Sequence, residues 1–320
     1  DPDSDELTVT FFGREIVPPA AADFEIIAIP DTQYYTCDGN FSSCPFFTDG
    51  SIETFEAQTQ WIVDHQESIG YVPHVGDLVQ NADWYEEEWM RADSAFSILD
   101  LGAPEIPYGI AFGNHDLRNL YGASASVTGD TFLNQYFGTG RFNGRVYYGG
   151  HFSFTNNNHY VLFERGGLAF IGIHLEYDRE YEGAVLNWAD DLLKQHPNRR
   201  AIISRHAIID EDGNFVSDGE NVFNALKDNP NLFLFLCGHI DGEYIRTDQH
   251  NGRTIYTILS DYQSEPNGGD GWLRRLQFVP DADQITVRSY SVLYDQWDWE
   301  DPRATGWQDL DYDMGYRTRE

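Results

Sequence analysis

Basic residues are scarce in this chain. Lys and Arg together number 20 against 53 Asp and Glu, so the formal charge of the 320 residues is −33 at pH 7. A surface this acidic repels polyanions, which argues against a nucleic-acid polymer or an anionic membrane as partner. The same charge is also typical of a highly solvated or salt-adapted surface. We therefore expect neither nucleic-acid nor membrane binding.

Long hydrophobic runs are also missing. No stretch approaches the roughly 20 apolar residues that a membrane-spanning helix needs. Aromatic residues make up 15% of the chain, well above what disordered proteins contain, and indicate a folded protein. The chain begins at Asp1 rather than at Met. We interpret this start as a mature form that has lost a secretion signal, with a cloning boundary as the alternative.

Cysteine is limited to three residues. Cys37 and Cys44 bracket the segment "CDGNFSSC" and are close enough in sequence for a disulfide if the geometry permits. Such a bridge forms in oxidising compartments and favours a secreted or periplasmic protein. Cys237, within "FLFLCGH", is predicted to be a small buried hydrophobic residue rather than a reactive thiol.

Strand-like and helix-like segments alternate from residue 25 to about 240, and strands dominate from residue 243 onward. This order predicts an α/β fold with a parallel sheet and antiparallel additions near the end. We expect one elaborated domain at residues 21–295. Residues 1–20 are predicted to be a peripheral segment, and residues 296–320 an acidic tail packed on or near the domain.

Polar side chains follow five predicted strands at the point where each strand ends. An example is "EIIAIPDTQ", in which a short β-branched run ends at Pro30 and leads to Asp31. A buried carboxylate must be solvated, paired or metal-bound, and ligands of open α/β sheets bind at the carboxyl ends of strands. The sequence therefore predicts a metal site at this edge. Its candidate residues are Asp31, Asp77, Asn114, His115, His206, His239 and Asp241.

The ordered motifs "PDTQ", "VGD", "GNHD", "SRH" and "GHID" resemble those of the calcineurin-like metallophosphoesterase family over residues 25 to about 260. The segments "GGLAFIGIHLEYD" and "SDYQ" are similar to those of an exported bacterial subgroup. The resemblance implies a four-layer α/β/β/α sandwich. It also implies two divalent metal ions and a metal-bridging hydroxide that attacks phosphorus.

Carried over by position, the resemblance makes Asp77 the carboxylate that bridges both metals. The second metal then takes Asn114, His206 and His239. The first takes Asp31 and the residues at two positions where the family has histidine, which here are Gln33 and Asp241.

These two departures predict an asymmetric metal pair. Gln33 can ligate only through its amide oxygen, and Asp241 is shorter than histidine and could ligate directly or through water. An oxygen-rich first site suits Mg, Ca or Mn, whereas the imidazoles of the second suit Zn, Fe or Mn.

His115 matches the family histidine that protonates the leaving group or steadies the transition state. The usual carboxylate partner of that histidine is absent because position 80 is Gln. Asp83 or Asp116 could replace it, and otherwise the role of His115 as a general acid is in doubt. Weaker candidates for substrate contacts are Arg118, Arg205, His174 and Tyr34.

We therefore predict an exported phosphoesterase that acts on a small phosphomonoester or phosphodiester. The alternative is a degenerate member that serves as a metal- or carbohydrate-associated binding module without turnover. A purple acid phosphatase relative is disfavoured because it needs a Tyr ligand where this chain has Gln80.

Overall fold

The computed structural model describes residues 22–37, 44, 50–117, 132–177, 182–216, 218–298 and 308–311. Its strands are β1 (Phe24–Ala28), β2 (Ile69–His74), β3 (Tyr108–Ile110), β4 (Tyr148–His151), β5 (His159–Arg165), β6 (Leu168–Leu175), β7 (Arg200–Arg205), β8 (Leu232–Cys237), β9 (Gly242–His250), β10 (Arg253–Asp261), β11 (Trp272–Val279), β12 (Gln284–Ser291), β13 (Gln296–Trp297) and β14 (Gln308–Asp311).

The helices are α1 (Gln33–Thr36), α2 (Ile52–Asp64), α3 (Glu86–Leu99), α4 (Phe132–Tyr136), α5 (Thr139–Phe142), α6 (Glu182–Gln195), α7 (Gly219–Leu226) and α8 (Pro266–Gly269). Two short 3-10 helices span Ala82–Trp84 and Pro280–Ala282. Within the described part of the chain, no helix combines the length and the apolar character that crossing a bilayer requires.

The strands form two sheets. One has the order β13-β12-β11-β1-β2-β3, with β14 also paired to β12, and the other has the order β4-β5-β6-β7-β8-β10-β9. The pairs β1–β2 and β2–β3 are parallel, as are β6–β7, β7–β8 and β8–β10. Strands β9, β11 and β12 join antiparallel. The predicted parallel sheet with antiparallel additions is confirmed, although its strands divide between two sheets.

The two sheets pack face to face through aromatic side chains. Phe24 of β1 contacts Phe170 of β6 with ring centroids 5.8 Å apart, and Tyr71 of β2 stacks on Phe163 of β5 at 4.6 Å. Because side chains alternate along a strand, the neighbours of Phe170 on β6 point the other way. Ile171 and Ile173 lie in a separate buried cluster with residues of α6 and α7.

Helices cover the outer faces of both sheets. Phe55 of α2 and Phe96 of α3 contact each other edge to face at 5.7 Å and belong to the buried cluster of the first sheet. The α6 and α7 helices cover the second sheet. The predicted four-layer α/β/β/α sandwich is confirmed.

The remaining structural predictions concern the cysteines and the two terminal segments of the sequence. Cys37 and Cys44 form the predicted disulfide, and Cys237 is a free, buried cysteine. Strands β13 and β14, from the predicted acidic tail, pair with β12. The proposed peripheral segment 1–20 lies outside the described residues, and the division into segments stays a prediction.

Candidate metal centre

Loops at the carboxyl ends of β1, β2, β7 and β8 bring four predicted ligands together. Nε2 of His206 lies 3.1 Å from Oδ2 of Asp77 and 4.0 Å from Oδ2 of Asp31. Potential ligand atoms of Asp77, His206 and His239 all lie within 4.8 Å of one another. Asn114 joins this group, since its Oδ1 is 3.1 Å from Nε2 of His206.

The orientation of His206 leaves a lone pair facing this cluster. Its Nδ1 lies 3.0 Å from the carbonyl oxygen of Val75, which can only accept a hydrogen bond, so Nδ1 bears the proton. In the neutral imidazole, Nε2 is then an acceptor. It faces oxygens of Asp77 and Asn114 that are acceptors as well. Converging acceptors with no proton between them fit a cation.

The backbone of the ligand loops is strained. Asp77 has φ 50° and His239 has φ 73°, which are values that residues other than glycine adopt uncommonly. Such strain is maintained only where surrounding contacts enforce it, and it concentrates at functional sites. The close approach of neighbouring loops to the carboxylates of Asp77 and Asp31 also requires glycine. A Cβ atom at Gly113 would overlap Oδ1 of Asp77, and one at Gly238 would overlap Oδ1 of Asp31.

The carboxylates of the site act on one another because they are buried. Burial raises the pKa of Asp31 well above its usual range, and the charges of Asp261 and Asp77 raise it further. Asp77 behaves differently: burial opposes its ionisation, but His206 and His115 lower its pKa to about 2. Burial, reinforced by His206, lowers the pKa of His239 to about 4. A neutral imidazole at His239 beside an ionised Asp77 is the combination of protonation states that metal binding needs.

Gln33 and Asp241, the predicted ligands at the two positions where the family has histidine, differ in their surroundings. Gln33 is 1% exposed, and its Oε1 is buried without a hydrogen-bond partner among the described residues. An orphaned buried oxygen is costly, and a cation would satisfy it. Asp241 is exposed, and its Oδ2 accepts a hydrogen bond from Ser264 at 2.7 Å. The structure thus presents Gln33 as a fitting ligand, whereas Asp241 sits at the solvent edge.

The two carboxylates considered as partners of His115 are hydrogen-bonded to backbone nitrogens of other residues. Asp116 accepts hydrogen bonds from the backbone nitrogens of Leu78, Val79 and Gly113, at 2.7, 3.1 and 2.9 Å, and so ties two ligand loops together. Asp83 accepts a hydrogen bond from the backbone nitrogen of Phe132.

Nδ1 of His115 instead lies 2.8 Å from the carbonyl oxygen of Gln80. The backbone nitrogen of His115 donates to Oδ1 of Asp77 at 2.8 Å. Position 80 therefore orients the imidazole through its main chain rather than through its side chain. Among the described residues, Nε2 of His115 has no hydrogen-bond partner, and it can therefore face a substrate.

Of the four residues predicted to contact substrate, three are not placed at the site by the structure. Arg118 lies outside the described residues. Arg205 is 2% exposed and is paired with the carboxylate of Asp218, with Glu182 at 3.6 Å, so its charge is committed to structural pairs instead of to a phosphate. His174 is buried between the sheets and is hydrogen-bonded to the hydroxyl of Tyr71, so it does not line the site.

Tyr34 does lie beside the carboxylates. Its half-burial, together with the charges of Asp241 and Asp261, raises its pKa to about 12. It therefore stays a neutral hydroxyl that can donate a hydrogen bond at any physiological pH.

Two residues of this region were not among the predicted site residues. Asp261 ends β10 and is 1% exposed, and burial together with the charge of Asp241 raises its pKa to about 8. Its oxygens accept hydrogen bonds from the backbone and side-chain nitrogens of Gln263, each at 3.0 Å. Tyr177 lies 5.9 Å from His206 and 5.4 Å from His239, measured between ring centroids. The strand-end rule could have found Asp261 in "SDYQ", whereas no local signal marked Tyr177.

Comparison with known proteins agrees with this arrangement. The family model described as calcineurin-like phosphoesterase matches residues 24–243. The uncharacterized protein YvnB of Bacillus subtilis (strain 168) is 33% identical over an alignment of 288 residues, and the match covers 87% of this chain. The chain spans only 20% of the length of that relative.

Among solved structures, a dimetal phosphatase from Danio rerio aligns with a TM-score of 0.58 at 14% identity, covering 90% of this chain and 99% of its own. The purple acid phosphatase PPD1 from yellow lupin (Lupinus luteus) seeds aligns with a TM-score of 0.55 at 14% identity, covering 92% of this chain and 55% of its own. At these identities the likeness concerns the fold alone.

Proposed function

We infer that this chain, which belongs to the calcineurin-like phosphoesterase family, hydrolyses a small phosphomonoester or phosphodiester in a metal-dependent reaction. The observation that supports this most directly is the convergence of acceptor atoms from Asp77, His206 and His239 within 4.8 Å. These atoms come from three separate loops at one rim of the fold. Without a cation they would repel one another, and with one they form a coordination shell.

We assign the ligands in two groups that share Asp77. The histidine-containing group consists of Asp77, Asn114, His206 and His239. The oxygen-rich group consists of Asp31, Gln33, Asp77 and, at the solvent edge, Asp241. Carboxylate and amide oxygens suit Mg, Ca or Mn, while imidazoles suit Zn, Fe or Mn. When bound, the two cations neutralise the phosphate and activate water for attack on phosphorus.

Side chains of this protein then bind the phosphate and protonate the leaving group. His115 is held by its Nδ1–H on the Gln80 carbonyl and directs Nε2 toward the substrate. As an imidazolium it carries a proton on both nitrogens, and it donates the Nε2 proton to the leaving oxygen while keeping the Nδ1 proton. Tyr34 donates a hydrogen bond to a phosphate oxygen and remains neutral while doing so. Since the formal charge is −33, bound cations rather than a basic surface attract the anionic substrate.

We further propose that the protein works outside the reducing cytoplasm. The support is the disulfide between Cys37 and Cys44, a bond typical of exported proteins. Export would also suit a site that takes its metals from the surroundings.

The test is hydrolysis by metal-stripped protein after addition of Mn, Zn, Mg or Ca. The substrates are p-nitrophenyl phosphate and bis(p-nitrophenyl) phosphate, and elemental analysis gives the metal content of the same samples. Hydrolysis restored by metal supports the proposal, and the preferred substrate separates monoester from diester activity. Bound metal without turnover of either ester would overturn it in favour of a binding module.

A further inference from the structure

Glu88 of α3 is a buried carboxylate that serves the loop after Asp77. The side chain is 0% exposed. Its Oε2 accepts hydrogen bonds from the backbone nitrogens of Gln80 and Asn81, each at 2.9 Å. Its Oε1 accepts a third, from Nδ2 of Asn81 at 2.6 Å. All three contacts require an acceptor, which is the property of an ionised carboxylate.

One of these contacts involves the peptide group that orients His115. The carbonyl of Gln80 and the N–H of Asn81 belong to the same peptide unit and point in opposite directions across its plane. Glu88 accepts from the N–H end at 2.9 Å, while the carbonyl end faces Nδ1 of His115 at 2.8 Å. The negative charge at one end polarises the unit and makes the carbonyl oxygen a stronger acceptor.

We propose that Glu88 is the positioning residue of His115, acting through the Gln80–Asn81 peptide group. A carboxylate of α3 thereby acts on His115 indirectly, through a peptide group, in place of the side-chain carboxylate that position 80 lacks. This inference rests on the proposed function, in which His115 protonates the leaving group. Holding Nδ1–H on the Gln80 carbonyl keeps the Nε2–H of the imidazolium aimed at that group, and loss of the Nε2 proton leaves the neutral Nδ1–H tautomer. The contribution of Glu88 therefore depends on how much protonation the leaving group needs.

The experiment compares two substrates in the manganese-loaded full chain. Phenyl phosphate has a leaving group that needs protonation far more than that of p-nitrophenyl phosphate. For Glu88→Gln we expect kcat to fall at least about tenfold on phenyl phosphate and much less on p-nitrophenyl phosphate, with KM and metal content unchanged. Glu87→Gln is the matched control, because Glu87 is the exposed neighbour on the same helix and loses the same charge.

A double-variant cycle and a spectroscopic measurement complete the test. In a His115→Asn background, Glu88→Gln should cause no further loss on phenyl phosphate, because the two residues act as one unit. The imidazole 15N resonances of His115, identified by their loss in His115→Asn, should report Nδ1–H in the parent protein and a tautomer mixture in Glu88→Gln.

Equal losses on both substrates, additive losses in the cycle, or an unchanged tautomer would each overturn the role of Glu88. If Glu88→Gln does not fold, Glu88→Asp replaces it, since the shorter carboxylate cannot reach both backbone nitrogens. A parent protein that hydrolyses neither ester with any metal would refute the proposed function. The tautomer measurement in the metal-free chain would then still decide the positioning role.

Discussion

Nε2 of His206 lies 3.1 Å from Oδ2 of Asp77, and both are acceptors once Nδ1 of the imidazole has donated to the Val75 carbonyl. Two acceptors at hydrogen-bond distance need a proton or a cation between them. Because Asn114 Oδ1 approaches the same nitrogen at 3.1 Å, a single proton would satisfy only one of the two oxygens. The contact thus gives the metal-centre assignment a physical basis that does not depend on the family.

Replacing Asp77 should therefore remove both cations at once. For Asp77→Ala we expect metal affinity to fall by more than about 100-fold, since even outer-shell partners of a metal site contribute 10- to 100-fold. Activity should be lost with it. Equilibrium dialysis with elemental analysis measures the first effect, and Asp64→Asn, an exposed acid at the end of α2, is the control. Two cations retained per chain in Asp77→Ala would refute the bridging role.

Gln33 offers a test in the absence of metal. Its Oε1 is buried and has no hydrogen-bond partner among the residues that the structure describes, so Gln33→Leu should stabilise the metal-free protein by about 1–3 kcal/mol. The rise in Tm on adding Mn should in turn become smaller than in the parent, since a ligand has been lost. Thermal unfolding with and without Mn measures both effects, and the exposed Gln60→Leu is the control. If the Mn-induced rise is undiminished, Gln33 is not a ligand.

Asp241 stands where the family has histidine, and its side chain is exposed and bonded to Ser264. We expect Asp241→His to strengthen affinity at the oxygen-rich site, because imidazole reaches further and binds Zn and Mn well. Calorimetric titration of Zn into metal-stripped protein would show a second, tighter binding step. Ser264→Ala, which frees Asp241 without changing it, separates the reach of the side chain from its hydrogen bonding. Unchanged metal content in Asp241→His counts against the assignment.

Stability should also fall in mild acid because of a histidine outside the metal centre. Nδ1 of His159 donates to the Asn156 carbonyl, Nε2 accepts from the Ile110 nitrogen, and burial lowers its pKa to about 4. Below the ordinary pKa of histidine, His159 binds a proton in the unfolded chain but stays neutral in the folded chain. The free energy of unfolding therefore decreases as pH falls from about 6.5 to about 4, by about 3 kcal/mol for this residue.

Urea unfolding between pH 7.5 and 4.5 measures this decrease. His159→Gln keeps an acceptor for Ile110 and should give a shallower dependence on pH, whereas the exposed His65→Gln should leave it unchanged. A dependence equally steep in His159→Gln would show that other groups cause the acid sensitivity.

The sequence predicted the parts of this protein that follow from strand topology. Asp77, Asn114, His206 and His239 meet because the carboxyl ends of parallel strands share an edge, and residue types placed after such strands reveal that edge. The same reasoning overlooked Asp261, the last residue of β10.

Other features of the site depend on the direction in which a side chain points and on partners distant in sequence, which the local sequence does not determine. His174 also lies on a strand near the rim, but the alternation of side chains turns it inward against Tyr71. Arg205 precedes a ligand, yet Asp218 neutralises it. The partner of His115 is the main-chain carbonyl of Gln80, and because every residue type has this carbonyl, the sequence could not predict the contact. Sequence patterns thus locate a site more reliably than they identify the groups that orient it.

The candidate metal ligands are contributed by segments that are far apart along the chain. Asp31 and the backbone nitrogen of His239, which lie 3.4 Å apart, are separated by 208 residues. A ribosome must therefore add these 208 residues after Asp31 before the two residues can meet. We accordingly expect metal capture to come late in the folding of this domain, and fragments that end before β8 to lack His239 and thus a complete set of candidate ligands.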